Sequence, residues 1–290
     1  MIEAYFIHLA ILIGIYIILA VSLDLALGYT GLLNIGHVAF FGIGAYTSAL
    51  LTKADVPFLI AFICSGIFAS VFGYILVLAT RKLKGDYLAL ATLGFSFVIY
   101  SLMLNWTDLT RGPLGIPGIA KPNFFGLVVS QNWMYLVFVA IVCAIFLFIA
   151  HRIVHSPFGR LMQATRDDET GVKVLGKDTF KVKYKAMMLS AFWAGIAGCL
   201  FAHYITYIDP SSFYLNDIIL LLTIVIVGGI ASIRGGVAST VIILLVPEAL
   251  RFLALPGSIL GPVRQMLYAL VLLGILLYRP RGIFGKVDLA

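Results

Sequence analysis

Residues 1–21, MIEAYFIHLAILIGIYIILAV, run for 21 positions with Glu3 as the single Asp, Glu, Lys or Arg. A helix needs about 20 such residues to cross the hydrocarbon core of a bilayer. The run has no basic leader and is too long for the apolar core of a signal peptide, so it is expected to stay in the protein. It also lacks the every-other-residue alternation of a barrel strand. Lipid tolerates only helices or closed barrels, because each backbone polar group must be satisfied within the protein. The segment therefore points to an all-α membrane bundle.

Comparable runs lie near Leu32–Leu51, Pro57–Thr80, Tyr87–Asn105, Trp133–His151, Ala186–Ile208, Ile218–Ile233, Gly236–Leu253 and Val263–Tyr278, with the first extending over Ile2–Leu27. The seventh and eighth are short and meet at GGIASIRGG (Gly228–Gly236), where they can form one broken hairpin. The expected architecture is a single polytopic domain, residues 1–290, of about eight to ten transmembrane helices. Composition agrees: 62% of residues are hydrophobic and 11% charged, against about 25% charged in a soluble domain. So much apolar surface must be covered by lipid. Cys64, Cys143 and Cys199 all fall inside apolar runs, which excludes a disulfide framework or a metal-binding spacing.

The net charge of +7 does not indicate a nucleic-acid partner, because the basic residues sit at the ends of apolar runs. Fifteen of the 20 Lys and Arg fall on one side of the expected bundle; Lys53, Arg111, Lys121, Arg251 and Arg264 fall on the other. The crowded side is the cytoplasmic one by the positive-inside rule, with the N-terminus outside and the C-terminus inside. Trp106, Trp133 and Tyr135 flank an outer Gly/Pro-rich loop and suit an interfacial aromatic belt. The crowded side also carries the densest polar stretch, His151–Lys185, with eight Lys or Arg and four Asp or Glu.

Several motifs could carry chemistry. Gly171, Gly176 and Lys177 imitate a phosphate-binding loop, but Asp178 replaces the magnesium-binding Ser or Thr and no strand precedes it. His151 and His155, four residues apart, lack a third metal ligand at helical spacing. Neither H-E-x-x-H nor G-x-S-x-G occurs, so no enzyme is indicated. Asp24 lies near the inner end of the first run. Asn34 and His37 lie in an apolar stretch broken by glycines that include Gly42 and Gly44. Intramembrane polar groups of this kind either satisfy neighbouring backbone or line a substrate path.

LGYTGLLNIGHVAFFGIGAYTSALL (Leu27–Leu51) resembles the early signature of permease subunits of branched-chain amino-acid ABC importers, of the LivM type. GDYLALATLGF, LTRGPLGIPGI, SPFGRLMQATRDDETGVKVLG, VGGIASIRGG and YRPRGIFG continue the resemblance in the family's order. Two departures are visible. SIRGG stands where the family usually has a GTxxGP-like turn, and the chain begins directly in its first span, without the longer N-terminal extension that some members carry. The resemblance implies a bacterial or archaeal plasma-membrane subunit that pairs with a second permease of the LivH type. It further implies two cytoplasmic ATPases that bind the ATP and magnesium, with no cofactor in this chain, and a periplasmic substrate-binding protein. Urea and short-amide importers use related permeases. A self-sufficient secondary transporter is a weaker alternative, because Asp24 and Glu248 are the only carboxylates placed deep in spans.

In such importers a short cytoplasmic helix docks on the ATPase, and the polar insert, about residues 152–185, would supply it. Ser156-Pro157 reads as an N-cap with a first-turn proline. A second short helix is expected from Asp167 or Asp168 to Gly176, a residue suited to the left-handed position after a helix. Val172 and Leu175 would form its apolar side, with Arg166, Asp167, Asp168 and Glu169 making polar contacts. The implied pathway residues are Asn34, His37, Gly42 and Gly44. A cysteine introduced at position 173 (Lys173→Cys) is expected to be labelled only after the membrane of intact cells is permeabilised. Labelling from outside would reverse the orientation.

Overall fold

The computed structural model describes residues 2–124, 127–129, 131–250, 257–279 and 281–285. Arg251 and Leu253, used above for topology or a span end, lie outside them, as does Lys286, one of the fifteen basic residues on the crowded side. Helices occupy every expected run: α1 (Ile2–Leu27), α2 (His37–Lys53), α3 (Phe58–Ala79) and α4 (Gly85–Asn105), then the single turn α5 (Thr107–Thr110) and α6 (Asn132–Val154). The insert forms α7 (Pro157–Asp167) and α8 (Glu169–Val174), and α9 (Thr179–Ile205), α10 (Leu215–Gly228), α11 (Ile233–Leu250) and α12 (Gly257–Tyr278) follow. Six helices are long and apolar enough to span a bilayer; α2, at 17 residues, and the apolar stretches Ile233–Val246 and Gly261–Ile275 are shorter. The protein is a multi-pass all-α membrane bundle.

Three boundaries differ from the sequence expectation. The insert ends at Asp178, not Lys185, because Thr179–Lys185 forms the first two turns of α9. Thr179, Val182 and Ala186 recur at helical spacing on its buried face, while Lys181 and Lys185 project outward. Helix α10 begins three residues early, which brings Asp217 inside it. Tyr135 is buried, and its hydroxyl donates to the Leu200 carbonyl at 2.6 Å, so it does not join Trp106 and Trp133 in an exposed belt.

Helix α9 is the most deeply buried span, packed between α2, α3 and α1. Small residues make this possible. A Cβ on Gly44 would sit 2.3 Å from the Gly195 Cα, and one on Gly198 would sit 2.0 Å from the Phe41 carbonyl oxygen. On its other face, a Cβ on Gly195 would meet the Ser65 carbonyl at 2.5 Å. The backbones of α2, α9 and α3 thus touch directly, a geometry that lipid favours because apolar side chains gain little by leaving it. Outer faces of α3, α4 and α6 expose Ile67, Phe68, Leu90, Val98, Ile145 and Phe148. Two short ribbons close the loops at one end: β1 (Ile116–Pro117) pairs antiparallel with β4 (Tyr207–Ile208), and β2 (Asn123–Phe124) with β3 (Leu127–Val128). Gly198→Val should displace α2 from α9, destabilising the protein by about 3 kcal/mol. Monodispersity and unfolding temperature in detergent measure this, with an exposed change such as Leu90→Val as the neutral control.

Candidate functional site: the charged end of the bundle

The insert is built by local signals. Ser156 Oγ accepts from the Gly159 amide at 3.2 Å and caps α7. Asp168 caps α8, accepting from the Thr170 and Gly171 amides at 2.9 and 3.0 Å. Gly176, at φ 73°, ends α8: its amide donates to the Lys173 carbonyl, and the Lys177 amide donates to that of Val172. That pair of bonds is a Schellman closure, which favours glycine at the left-handed residue.

A helix of six residues needs a partner surface, and α8 finds one within its own chain. Glu169 accepts from Lys183 Nζ at 2.8 Å and from Thr179 Oγ1 at 3.1 Å, with Lys173 at 2.9 Å and Lys84 at 3.8 Å. Burial alone would raise the Glu169 carboxyl, but the hydrogen bonds from Lys183 and Lys173 outweigh it and bring it from 4.5 to about 2. Val172 is 5% exposed and faces the chain, whereas Val174 and Leu175 are 83% and 78% exposed. The expected apolar side is therefore divided: Leu175 projects outward with Val174, and Val172 anchors. Arg166 is also engaged, with Nη1 donating to the Gly28 carbonyl at 2.7 Å and Nε donating to Asp167 at 2.8 Å.

Gly28 leads to the second element of this end. The two carboxyl oxygens of Asp24 accept from the Ala231 and Ser232 amides at 2.9 and 3.1 Å, joining α1 to the corner between α10 and α11. Gly28 leaves room for that carboxyl, since a Cβ there would lie 2.0 Å from its Oδ1. The tail closes the corner from below: the Ile283 and Phe284 amides donate to the Val227 and Gly228 carbonyls at 2.9 and 3.0 Å.

The expected pathway residues separate into two sets. Asn34 and His37 come together: Asn34 Nδ2 lies 3.3 Å from His37 Nδ1 and 3.6 Å from Met187 Sδ, and His37 Nε2 lies 2.9 Å from Ser22 Oγ. Ser22 donates to the Leu19 carbonyl, so its oxygen accepts from Nε2–H, which leaves Nδ1 to accept from Asn34. All are buried, and among the described residues Asn34 Oδ1 has no hydrogen-bond partner. Gly42 and Gly44 stand apart, packed on Phe213 and Gly195. Asp217 is a further membrane carboxylate, bonded to the Tyr16 hydroxyl at 3.0 Å. At the start of the charged end, His155 Nδ1 lies 2.8 Å from the His151 carbonyl, and among the described residues no third metal-binding side chain joins this pair.

Against known proteins, residues 5–278 match the family described as the branched-chain amino acid transport system / permease component. The chain belongs to that permease family. Among its curated relatives is the high-affinity branched-chain amino acid transport system permease protein LivM of Escherichia coli (strain K12), 34% identical over 269 residues, or 84% of this chain and 63% of that protein. The chain thus spans just under two thirds of that relative's length. A probable branched-chain amino acid transport permease protein LivM of Methanocaldococcus jannaschii is 26% identical and covers 94% of this chain and 91% of its own length. The autoinducer 2 import system permease protein LsrC of Escherichia coli O9:H4 is 30% identical over 146 residues, 49% of this chain and 39% of that protein. No solved structure matches.

Within this permease, sequence reasoning singled out Asp24 but missed its bond to the corner 207 and 208 residues away. The available signal was a lone carboxylate in α1 with a glycine four residues on. Asp24→Ala leaves two buried amides without an acceptor and should cost about 2–4 kcal/mol. Asp24→Asn, with one acceptor oxygen, should fall between, as read by unfolding in mixed micelles. The clasp has a different signature. Because folding lowers the Glu169 carboxyl, its stabilisation is complete above about 4.5 and is lost as the pH falls toward 2. At pH 7, Glu169→Gln should speed amide exchange in residues 170–175 by about fivefold. In the unsubstituted protein the same rise should appear only below pH 4.5, once exchange is corrected for its intrinsic pH dependence.

Proposed function

We propose that this permease is one transmembrane subunit of an ATP-driven importer and moves branched-chain amino acids into the cytoplasm. The match over residues 5–278 carries the reading, and the two LivM relatives support its substrate class. On this reading a second permease of the LivH type completes the path, two cytoplasmic ATPases bind ATP and magnesium, and a periplasmic binding protein delivers substrate across a bacterial or archaeal plasma membrane.

The charged end supplies the coupling surface. Val174 and Leu175 are presented to solvent at the tip of α8, on a base held by the Asp168 cap and the Glu169 clasp. A pair of exposed apolar side chains on a fixed support suits a groove in a partner, and such anchors carry most of the energy of an interface. Arg166, Asp168 and Glu169 act on this surface indirectly by holding α8 in place, and Gly176 ends it. Asn34 and His37, with Ser22, supply a buried polar group for a path through the bundle on this reading, and Gly42 and Gly44 let α2 pack closely beside it.

Val174→Asp with Leu175→Asp separates coupling from folding, because both side chains are largely exposed. The double variant should reach the membrane at normal levels and keep its unfolding temperature. Co-expressed with its ATPases and binding protein, it should lose leucine uptake and leucine-stimulated ATP hydrolysis in nanodiscs by about tenfold or more. Normal uptake would remove α8 from the coupling surface. Absence of leucine-dependent hydrolysis in the unsubstituted complex would remove the substrate assignment.

A further inference from the structure

Two clefts open beside each other at the charged end. One, of about 390 Å³, is lined by Tyr29, His151, His155, Ser232, Arg234 and Phe284, among others. The other, of about 440 Å³, is lined by Tyr29, His155, Arg160, Gln163 and Arg166, among others. They share Tyr29, His155 and Ala231, and among the described residues neither lining includes a carboxylate. We propose that the joined clefts bind the phosphate of an anionic phospholipid headgroup, with the acyl chains lying along α6.

The cleft is cationic and its charges are available. Arg166 is committed to Asp167 and the Gly28 carbonyl, and Asp24 is occupied by the corner amides. Arg160 and Arg234 have no ion-pair partner among the described residues and are exposed. Guanidinium groups suit phosphate oxygens because their planar donors engage two oxygens at once. His155, Tyr29 and Gln163 add hydrogen-bonding groups between them. Five polar or cationic side chains converge on these clefts from the residue that caps α6, from α7, from the α1–α2 connection and from α11.

Helix α6 identifies the source of the phosphate. Ile141, Ile145 and Phe148 are 53%, 50% and 62% exposed. They recur at intervals of four and three residues, so they form one outward stripe. The next positions on that stripe are Arg152 and His155, and the Arg152 guanidinium lies over the Phe148 ring at 5.4 Å. An amphiphile along this stripe places its chains on apolar side chains and its headgroup at the mouth of the clefts, at the depth where a helix leaves the hydrocarbon. A free phosphate would use the cleft alone.

The test uses the full chain in a zwitterionic detergent, with bound lipid counted by native mass spectrometry. Phosphatidylglycerol and phosphatidylcholine of identical acyl chains are offered together. The unsubstituted protein should retain phosphatidylglycerol about thirtyfold better, the contribution of about two basic side chains at a membrane surface. Arg160→Gln with Arg234→Gln should bring the ratio close to one, while Arg160→Lys with Arg234→Lys should keep most of it. Raising salt on the unsubstituted protein from about 0.05 to about 0.5 M should also shrink the ratio, which tests the site without any substitution. Equal retention of both lipids, or a preference that the glutamine pair leaves unchanged, overturns the proposal. Displacement of phosphatidylglycerol by millimolar inorganic phosphate overturns the lipid assignment and gives the cleft to free phosphate.

Discussion

The bond from Asp24 to the amides of Ala231 and Ser232 is the constraint around which the charged end is organised. A helix start buried at a membrane corner has amides that neither water nor its own helix can satisfy. Here the acceptor comes from a different helix. The corner pays for its tightness in backbone conformation, with Gly229 at φ 94° and Ala231 at φ 60°, and the latter is sparsely populated for a residue with a Cβ. It persists because three elements over-determine it: the carboxyl above, the tail amides below and the glycines between. Gly229, Gly282 and Gly285 lie so close that a Cβ on Gly229 would meet Gly285 N at 2.1 Å.

From this corner the polar insert acquires two separate ties to the membrane. Through Arg166, α7 grips the turn that ends α1 at Gly28, four residues after Asp24. Through Glu169, α8 grips the first turns of α9, the span at the centre of the bundle. A displacement of α7 and α8 therefore reaches two buried helices, one that meets the corner and one that meets α2 and α3. Lys183 is the important half of the second tie, because its side chain is 21% exposed, whereas Lys173 and Lys84 are 55% and 74% exposed. Solvent weakens the latter two strongly.

Helix positions were legible in the sequence because lipid imposes length and apolarity on each span independently of its neighbours. The caps of α7 and α8 were legible for a similar reason, since Ser156, Pro157, Asp168 and Gly176 act over two or three residues. Legibility failed where the deciding contact was distant. Lys181–Lys185 read as loop because its charges hid the buried Thr179, Val182 and Ala186 stripe. Val172 and Leu175, three residues apart, read as one face, yet only Val172 meets the chain. Glu169 read as an exposed contact because nothing local announces Lys183. Gly42 and Gly44 suggested an open path, and the packing of Phe213 and Gly195 against them could not be foreseen from α2 alone.

The span of the Asp24 contact bears on how the chain is made. Helices enter the membrane in order, so α1 arrives with its carboxyl group more than two hundred residues before the amides it will bind. During that interval Asp24 has no corner to hold, and a polar group at this depth favours water, a chaperone or a loosely seated helix. The corner in turn closes only when residues 281–285 emerge and cover Gly229. Helix α1 and residues 281–285 thus settle together. A chain interrupted before Ala231 carries a carboxyl in α1 with no corner amide to receive it.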